Sequence, residues 1–203
     1  GYIGAVTIDD IGVDGLFEYS GGRWTIDGAR ITNISVDDTN GDCVQLQRVV
    51  SGDVVKNVYC DKTNVDSKQC VAASCFNAGS ATCATGADQT QRVDITDNTC
   101  LMKSGGTLSI GIFSEGQAYI ERNYITNPAT YGMTCDLNNG AYCRFRSNIV
   151  VNAGTGCIDV SKTSAGPTAD IYNNVLVNCG TYGIDATGAT ATITAHNNSI
   201  TGA

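Results

Sequence analysis

Short apolar–polar–apolar triplets recur along the chain, and each of the clearest ones follows a glycine. They are Met133-Thr134-Cys135 after Gly132, Ile158-Asp159-Val160 after Gly156, and Ile184-Asp185-Ala186 after Gly183. Val44-Gln45-Leu46 and Ile110-Gly111-Ile112 have the same pattern earlier in the chain. Such alternation is typical of a strand with one buried face. Because no apolar stretch has helical spacing, we predict an all-β chain whose strands are joined by Asn- and Gly-rich turns.

A second pattern is a repeated asparagine. Six of them recur with four of the five intervals between 24 and 26 residues: Asn57, Asn98, Asn123, Asn148, Asn174 and Asn198. A fixed period of this size predicts a solenoid, here of about seven coils stacked about 4.8 Å apart. An inward asparagine at the same turn of every coil can bond to its neighbours, since an unpaired buried amide costs roughly 1–3 kcal/mol. We therefore predict an internal ladder of these six asparagines.

The asparagine ladder and the Gly-(x)-Ile-Asp-(Val/Ala) strands resemble those of right-handed parallel β-helix proteins in the pectate-lyase-like superfamily. The resemblance extends over about residues 23–203 and implies that fold for this segment. Residues 1–22 look like strand material outside the clean period, and we expect them to cap the helix or to contact another subunit. Enzymes and non-enzymes share the fold, so the resemblance does not determine an activity.

The ten cysteines indicate disulfide bonds. With a single His in the chain, zinc is a poor explanation for them. The interval from Asn57 to Asn98 is 41 residues, which predicts a Cys-rich insertion around residues 61–86. Disulfide candidates in and beside the insertion, and around a later turn, are Cys60, Cys70, Cys75, Cys83, Cys100, Cys135 and Cys143. Cys43 and Cys157 are interpreted as core residues. Disulfides predict a secreted, extracellular or cell-surface location.

Net charge narrows the choice of partners. The chain carries a net charge of −8 with a pI near 4.4. An acidic chain is a poor partner for nucleic acid or for anionic membrane surfaces. With no long apolar run, we expect no membrane insertion.

Asp159 and Asp185 are the strongest candidates for chemistry. They occupy equivalent outward positions of neighbouring strands, where carboxylates lie about 5 Å apart, in one column with Thr134 and Gln45. Three interpretations stay open. The pair is a solvated acidic stripe, a Ca²⁺ site, or an acid/base pair acting on a glycosidic bond. No cofactor other than Ca²⁺ is expected.

Two enzyme families of this fold offer further comparisons. In the lyases a basic side chain beside Ca²⁺ abstracts a proton, and Lys162 follows the Asp159 strand closely enough for that role. The lyase Arg-x-Pro-x-x-Arg pattern is absent, however. The segment from Asp37 to Cys43 resembles a polygalacturonase Gly-Asp-Cys element, but the Gly-His-Gly and Arg-x-Lys motifs of that family are missing. A polar turn explains this segment without catalysis.

Tyr131 and Tyr182 each precede a repeating glycine and are predicted to lie roughly 10 Å apart, two coils from each other. Aromatic rings at this separation could stack on sugars, or could simply pack at a turn.

The end of the chain favours a structural role. The segment from Ala195 to Ala203 is an ordinary repeat without a polar cap, so we expect either further coils or another subunit to cover it. We therefore predict a non-enzymatic extracellular or surface protein that assembles into a homopolymeric fibre through end-to-end or strand-complementing contacts. The alternatives are a lyase or hydrolase acting on an acidic polysaccharide, and a sugar-binding adhesin without turnover.

Overall fold

The computed structural model describes residues 1–12, 14–18, 22–34, 41–74, 92–136, 142–160, 168–186 and 192–202 of the 203-residue chain. Regular structure in these ranges is entirely β-strand. The strands form three sheets in which every neighbouring pair is parallel. This confirms the prediction of an all-β parallel solenoid. Within the same ranges, no helix is available that could span a membrane.

Each turn of chain contributes one strand to each sheet. The first sheet contains, in spatial order, Tyr2–Gly4 (β1), Thr25–Asp27 (β4), Asp53–Lys56 (β7), Val93–Thr96 (β10), Ala118–Glu121 (β13), Tyr142–Arg146 (β16), Thr168–Tyr172 (β19) and Thr192–His196 (β22). The second contains Thr7–Ile11 (β2), Arg30–Ile34 (β5), Tyr59–Lys62 (β8), Thr99–Met102 (β11), Tyr124–Thr126 (β14), Ile149–Val151 (β17), Val175–Val177 (β20) and Ser199–Thr201 (β23). The third contains Leu16–Glu18 (β3), Val44–Gln47 (β6), Gln69–Ser74 (β9), Ile110–Glu115 (β12), Tyr131–Asp136 (β15), Gly156–Asp159 (β18) and Tyr182–Asp185 (β21).

Residues 2–18 supply β1, β2 and β3, which are edge strands of the three sheets. The strand-like segment 1–22 is thus continuous with the solenoid. A capping or subunit-contacting role for it stays a prediction.

Alternating burial explains the sheets. In β10 the side chains of Val93 and Ile95 are buried, while those of Asp94 and Thr96 are partly exposed. Ile95 pairs in register with Ile120, and Ile120 with Phe145, so like side chains stack along the solenoid axis. One continuous apolar core results, and its burial provides the main stabilisation of the fold.

Five asparagines form a ladder along one corner, four of them buried and Asn198 partly exposed: Asn98, Asn123, Asn148, Asn174 and Asn198. Each of the first four donates from its side-chain amide to the amide oxygen of the next, over 2.9–3.0 Å. The same oxygens accept the backbone N–H of the preceding ladder residue. The corner is therefore held by two hydrogen bonds per coil.

Asn57 does not belong to this ladder, which corrects the sequence prediction. Its side chain donates to the Asp27 carboxylate (2.8 Å), and the N–H of Val58 donates to the Asn98 amide oxygen (2.9 Å). Asn57 instead occupies a turn position with φ of 55°, equivalent to Asp97 with φ of 60°. Asparagine is favoured both at this turn position and at the ladder position that follows it, so the sequence pattern alone does not distinguish the two.

At another corner, the third sheet meets the second through paired small and large residues. A Cβ on Gly132 would lie 2.4 Å from Val150 Cγ1, and one on Gly183 would lie 2.6 Å from Ile200 Cγ2. In other coils the same contact is a disulfide, Cys43–Cys60 or Cys70–Cys100. Glycine against an aliphatic side chain and cysteine against cysteine are thus two solutions to the same packing problem.

All eight described cysteines are disulfide-bonded, and the remaining pairs are Cys135–Cys143 and Cys157–Cys179. Cys43 and Cys157, interpreted from sequence as plain core residues, are both buried and bonded. Cys75 and Cys83 lie outside the described residues.

Two register assignments also change. Cys70 lies in β9 (Gln69–Ser74), a strand of the third sheet. The first part of the predicted insertion around 61–86, including Cys70, is therefore regular solenoid structure. In β12 the register partner of Met133 is Ile112, so the triplet that matches Met133-Thr134-Cys135 is Ile112-Phe113-Ser114 rather than Ile110-Gly111-Ile112.

Candidate functional site

A cleft of about 480 Å³ opens on the outer face of the third sheet. It lies across β6, β9 and β12, where the backbone register places outward side chains of successive coils side by side. Its lining residues are Asp14, Asp42, Gln45, Leu46, Gln47, Lys68, Gln69, Ala72, Ala73, Ser74, Phe113 and Glu115. Carboxylates, amides, a hydroxyl, an ammonium group and an aromatic ring therefore converge on one concavity.

Two outward columns form the base of the cleft. Gln45, Ala72 and Phe113 are register partners in the first, so a small side chain separates an amide from an aromatic ring. In the second column the Ser74 hydroxyl donates to the Glu115 carboxylate. Ser74 thereby orients one of the acidic groups in the cleft.

Asp42 lies at the end of the cleft where the strands begin, and only 2% of its surface is exposed. Its carboxylate accepts the N–H of Gln69 (2.7 Å), and its own N–H donates to the Asp14 carboxylate (2.9 Å). Three consecutive coils are linked in this way. Burial raises the pKa of Asp42 to about 7, and the negative charge of Asp14 adds to the rise while Lys62 opposes it.

Lys62 is fully buried directly behind the cleft. Its ammonium group donates to the carbonyls of Gly41 (2.6 Å) and Gln69 (2.9 Å), which flank Asp42 along the chain and across coils. Burial lowers the pKa of Lys62 below its usual range, although the carboxylate of Asp42 counteracts this. Lysine is seldom fully buried unless it is paired, and here the Lys62 ammonium is held by two carbonyls and stabilised electrostatically by the Asp42 carboxylate.

Sequence reasoning missed Lys62 and assigned Asp42 to a polar turn. A signal was present, because Lys62 is the register partner of Met102, a core residue of the next coil. If Asn57 is aligned with Asn98, Lys62 is matched with Lys103 instead of Met102. This shift of one residue conceals that the Lys62 side chain points inward. Val58 is the true equivalent of Asn98.

Asp159 and Asp185 are register partners on β18 and β21, in the same column as Thr134. Both are buried, with 2% and 4% of their surfaces exposed, so the interpretation as a solvated acidic stripe is wrong. The Thr134 hydroxyl is buried beside them, and no hydrogen-bond partner for it lies among the described residues. Since the column continues through Phe113 and Ala72 to Gln45, the pair and the cleft share one sheet face.

Tyr131 and Tyr182 lie two coils apart and are both register partners of Gly156. The Tyr131 ring packs over Gly156, where a Cβ would come within 2.9 Å of it. Its hydroxyl donates to the Asp185 carboxylate (2.8 Å), and burial together with this bond raises the pKa of Tyr131. Tyr131 is therefore engaged within the chain, and sugar stacking by the two rings stays a prediction.

Lys162, the predicted basic partner of Asp159, lies outside the described residues, as do Asp37 and Asp38. Among the residues that are described, no cluster of three or more His, Cys, Asp or Glu side chains is arranged to hold a metal ion. Ca²⁺ binding at Asp159 and Asp185 stays a prediction.

A family model for the right-handed β-helix region matches residues 14–200, which is most of the chain. No curated protein and no solved structure matches it significantly. The four disulfides suggest an extracellular or secreted protein. The match and the three parallel sheets together show that this chain belongs to the right-handed β-helix family.

Proposed function

We propose that this protein binds polysaccharide outside the cell and that the sugar chain lies in the cleft of the third sheet. The observation that supports this most directly is the mixed lining of the cleft. The Phe113 ring can contact the apolar face of a sugar, while the amides of Gln45, Gln47 and Gln69 can bond to its hydroxyls.

The charge of the lining indicates the class of sugar. Among the described lining residues, Asp14 and Glu115 provide two carboxylates beside the buried Asp42, against one lysine, Lys68. This balance favours neutral or amino-sugar chains over the acidic polysaccharide expected from the fold resemblance, because uronate carboxylates would be repelled.

Binding without turnover is the form we propose. Asp42 has a pKa suited to acid/base chemistry, but its carboxylate is buried and accepts the N–H of Gln69. A general acid must reach the glycosidic oxygen within hydrogen-bond distance.

The test is calorimetric titration with soluble neutral and amino-sugar oligosaccharides. Phe113→Ala should weaken binding at least tenfold, on the order of 1.4 kcal/mol. Tyr172→Ala, which alters a partly exposed ring on the first sheet, is the matched control and should leave affinity unchanged. Equal affinities for Phe113→Ala and the unmodified protein would contradict the proposed site. Release of reducing ends by the unmodified protein would contradict binding without turnover.

Self-association is the second candidate function. It is supported by β22 and β23, which pair on one side only and are largely exposed, with 43% of the Ile200 surface accessible. Such strands can add a further strand through backbone hydrogen bonds, whether from another copy or from a continuation of the same chain. Electron microscopy of the isolated protein tests it: ordered filaments support end-to-end assembly, and dispersed particles at high concentration oppose it.

A further inference from the structure

The outer face of the second sheet has an uncharged part that the proposed cleft does not use. On β14, β17 and β20 the outward residues form two columns, Tyr124, Ile149 and Val175 beside Thr126, Val151 and Val177. We call these six residues the uncharged face. Tyr124, Ile149 and Val175 each expose 40–41% of their surface.

The lack of charge is local to this part of the sheet. Nearer the beginning of the chain, the outward residues of the same sheet include Asp9, Arg30 and Asp61. The chain as a whole carries a net charge of −8. Exposed apolar columns on such a chain indicate a contact surface.

A row of amides borders the uncharged face. Asn127, Asn152 and Asn178 directly follow the ends of β14, β17 and β20, and their exposed side chains bond to one another over 3.1 Å and 2.9 Å. Asn152 and Asn178 each donate one N–H in this row, whereas Asn127 only accepts, so every amide keeps at least one N–H for an external acceptor. Apolar columns and polar donors therefore repeat together, once per coil.

The dimensions of the face limit what can bind there. Three strands about 4.8 Å apart, with outward residues about 7 Å apart along each strand, make a flat area well below the ~800 Å² per partner that a stable dimer buries. The uncharged face is therefore better suited to adsorption on the flat, repeating surface of a solid than to binding a second copy of this chain.

We infer that the uncharged face adsorbs the protein onto insoluble polysaccharide, in which aligned sugar chains present apolar C–H faces and rows of hydroxyls. Tyr124, Ile149 and Val175 contact the C–H faces, and the amide row donates to the hydroxyls. The choice of a sugar ligand rests on the proposed function, but the site is separate from the cleft.

Depletion from suspensions of microcrystalline cellulose and chitin tests the inference. Ile149→Lys and Val175→Lys should each reduce adsorption at least tenfold. Thr194→Lys adds the same charge at an exposed position of the first sheet and should adsorb like the unmodified protein. Thermal unfolding checks that all variants fold, and Ile149→Thr provides a milder change at the same position.

The two sites fail differently. Phe113→Ala should bind soluble oligosaccharide more weakly but adsorb normally to insoluble polysaccharide. Ile149→Lys should bind soluble oligosaccharide normally but adsorb more weakly. Adsorption that Ile149→Lys leaves intact, or no adsorption by the unmodified protein, would overturn the inference. So would a concentration-dependent dimer that Ile149→Lys abolishes, since the face would then bind a second copy.

Discussion

At the scale of single residues, buried polar side chains hold consecutive coils together. Asn123 is fully buried, donates to the Asn148 amide oxygen and to the Ile95 carbonyl, and accepts from both amide groups of Asn98. Its removal leaves several buried groups unpaired at once, whereas the bonds in the exposed amide row can be replaced by water.

Asn123→Ala should therefore lower the free energy of unfolding by about 2–4 kcal/mol, because each unpaired buried group costs roughly 1–3 kcal/mol. Asn152→Gly, in the exposed amide row, removes the side chain while keeping the φ of 58° accessible, so it is the control and should cost less than about 0.5 kcal/mol. Urea unfolding measures both. Similar losses for the two variants would show that burial does not distinguish the two rows.

Asp42 and Lys62 predict an unusual dependence of stability on pH. Burial raises the pKa of Asp42 from 3.8 to about 7, so its contribution to stability should fall as pH rises across that range. Burial lowers the pKa of Lys62 from 10.5 to about 8, so stability should recover between those two pH values. Each group contributes a slope of at most about 1.4 kcal/mol per pH unit.

Urea unfolding from pH 4 to 10 measures this dependence. Asp42→Asn should flatten the decline below pH 7 relative to the unmodified protein. If stability falls equally in Asp42→Asn and the unmodified protein, the fall is caused by other carboxyl groups and not by Asp42.

At the scale of strands, the corner between the second and third sheets is filled either by a glycine and a large side chain or by a disulfide. Gly15 and Cys43 are equivalent in consecutive coils, as are Ile31 and Cys60. A Cβ on Gly15 would lie 2.8 Å from Ile31 Cγ2, so Gly15 and Ile31 already form the alternative to the Cys43–Cys60 disulfide.

The double variant Cys43→Gly with Cys60→Ile should thus reproduce a native packing arrangement. We expect it to be at least about 1 kcal/mol more stable than Cys43→Ser with Cys60→Ser, which loses the same bond and buries two hydroxyl groups. Urea unfolding under non-reducing conditions compares them. A less stable Gly/Ile variant would mean that the two arrangements are not interchangeable.

How far the sequence predicts this molecule depends on the repeat. The asparagine period and the alternating triplets were sufficient for the parallel solenoid, since the same stacking constraint acts in every coil. The cleft was not predicted, because it departs from the repeat. Lys62 replaces a core residue, and Asp42 is buried where turn residues are usually solvated. Polar residues that depart from the repeat can be recognised only when the strand register is known to within one residue.

At the scale of the whole molecule, stability is unevenly distributed along the solenoid axis. The central strands β13 and β16 have neighbours on both sides and buried alternate residues, while β22 and β23 pair on one side and are mostly exposed. In a solenoid each coil is stabilised chiefly by its neighbours, so opening of this chain should be easiest where the described strands pair on one side only.

Hydrogen exchange should consequently be at least ~100-fold faster for amides in β22 and β23 than in β13 and β16, a difference of about 2.7 kcal/mol in opening free energy. Self-association through the exposed strands would add backbone hydrogen bonds there, so protection of β22 and β23 should then rise with protein concentration while β13 and β16 stay unchanged. Protection that is low and independent of concentration would argue against end-to-end assembly, and it would leave the cleft and the uncharged face as the surfaces through which this protein acts.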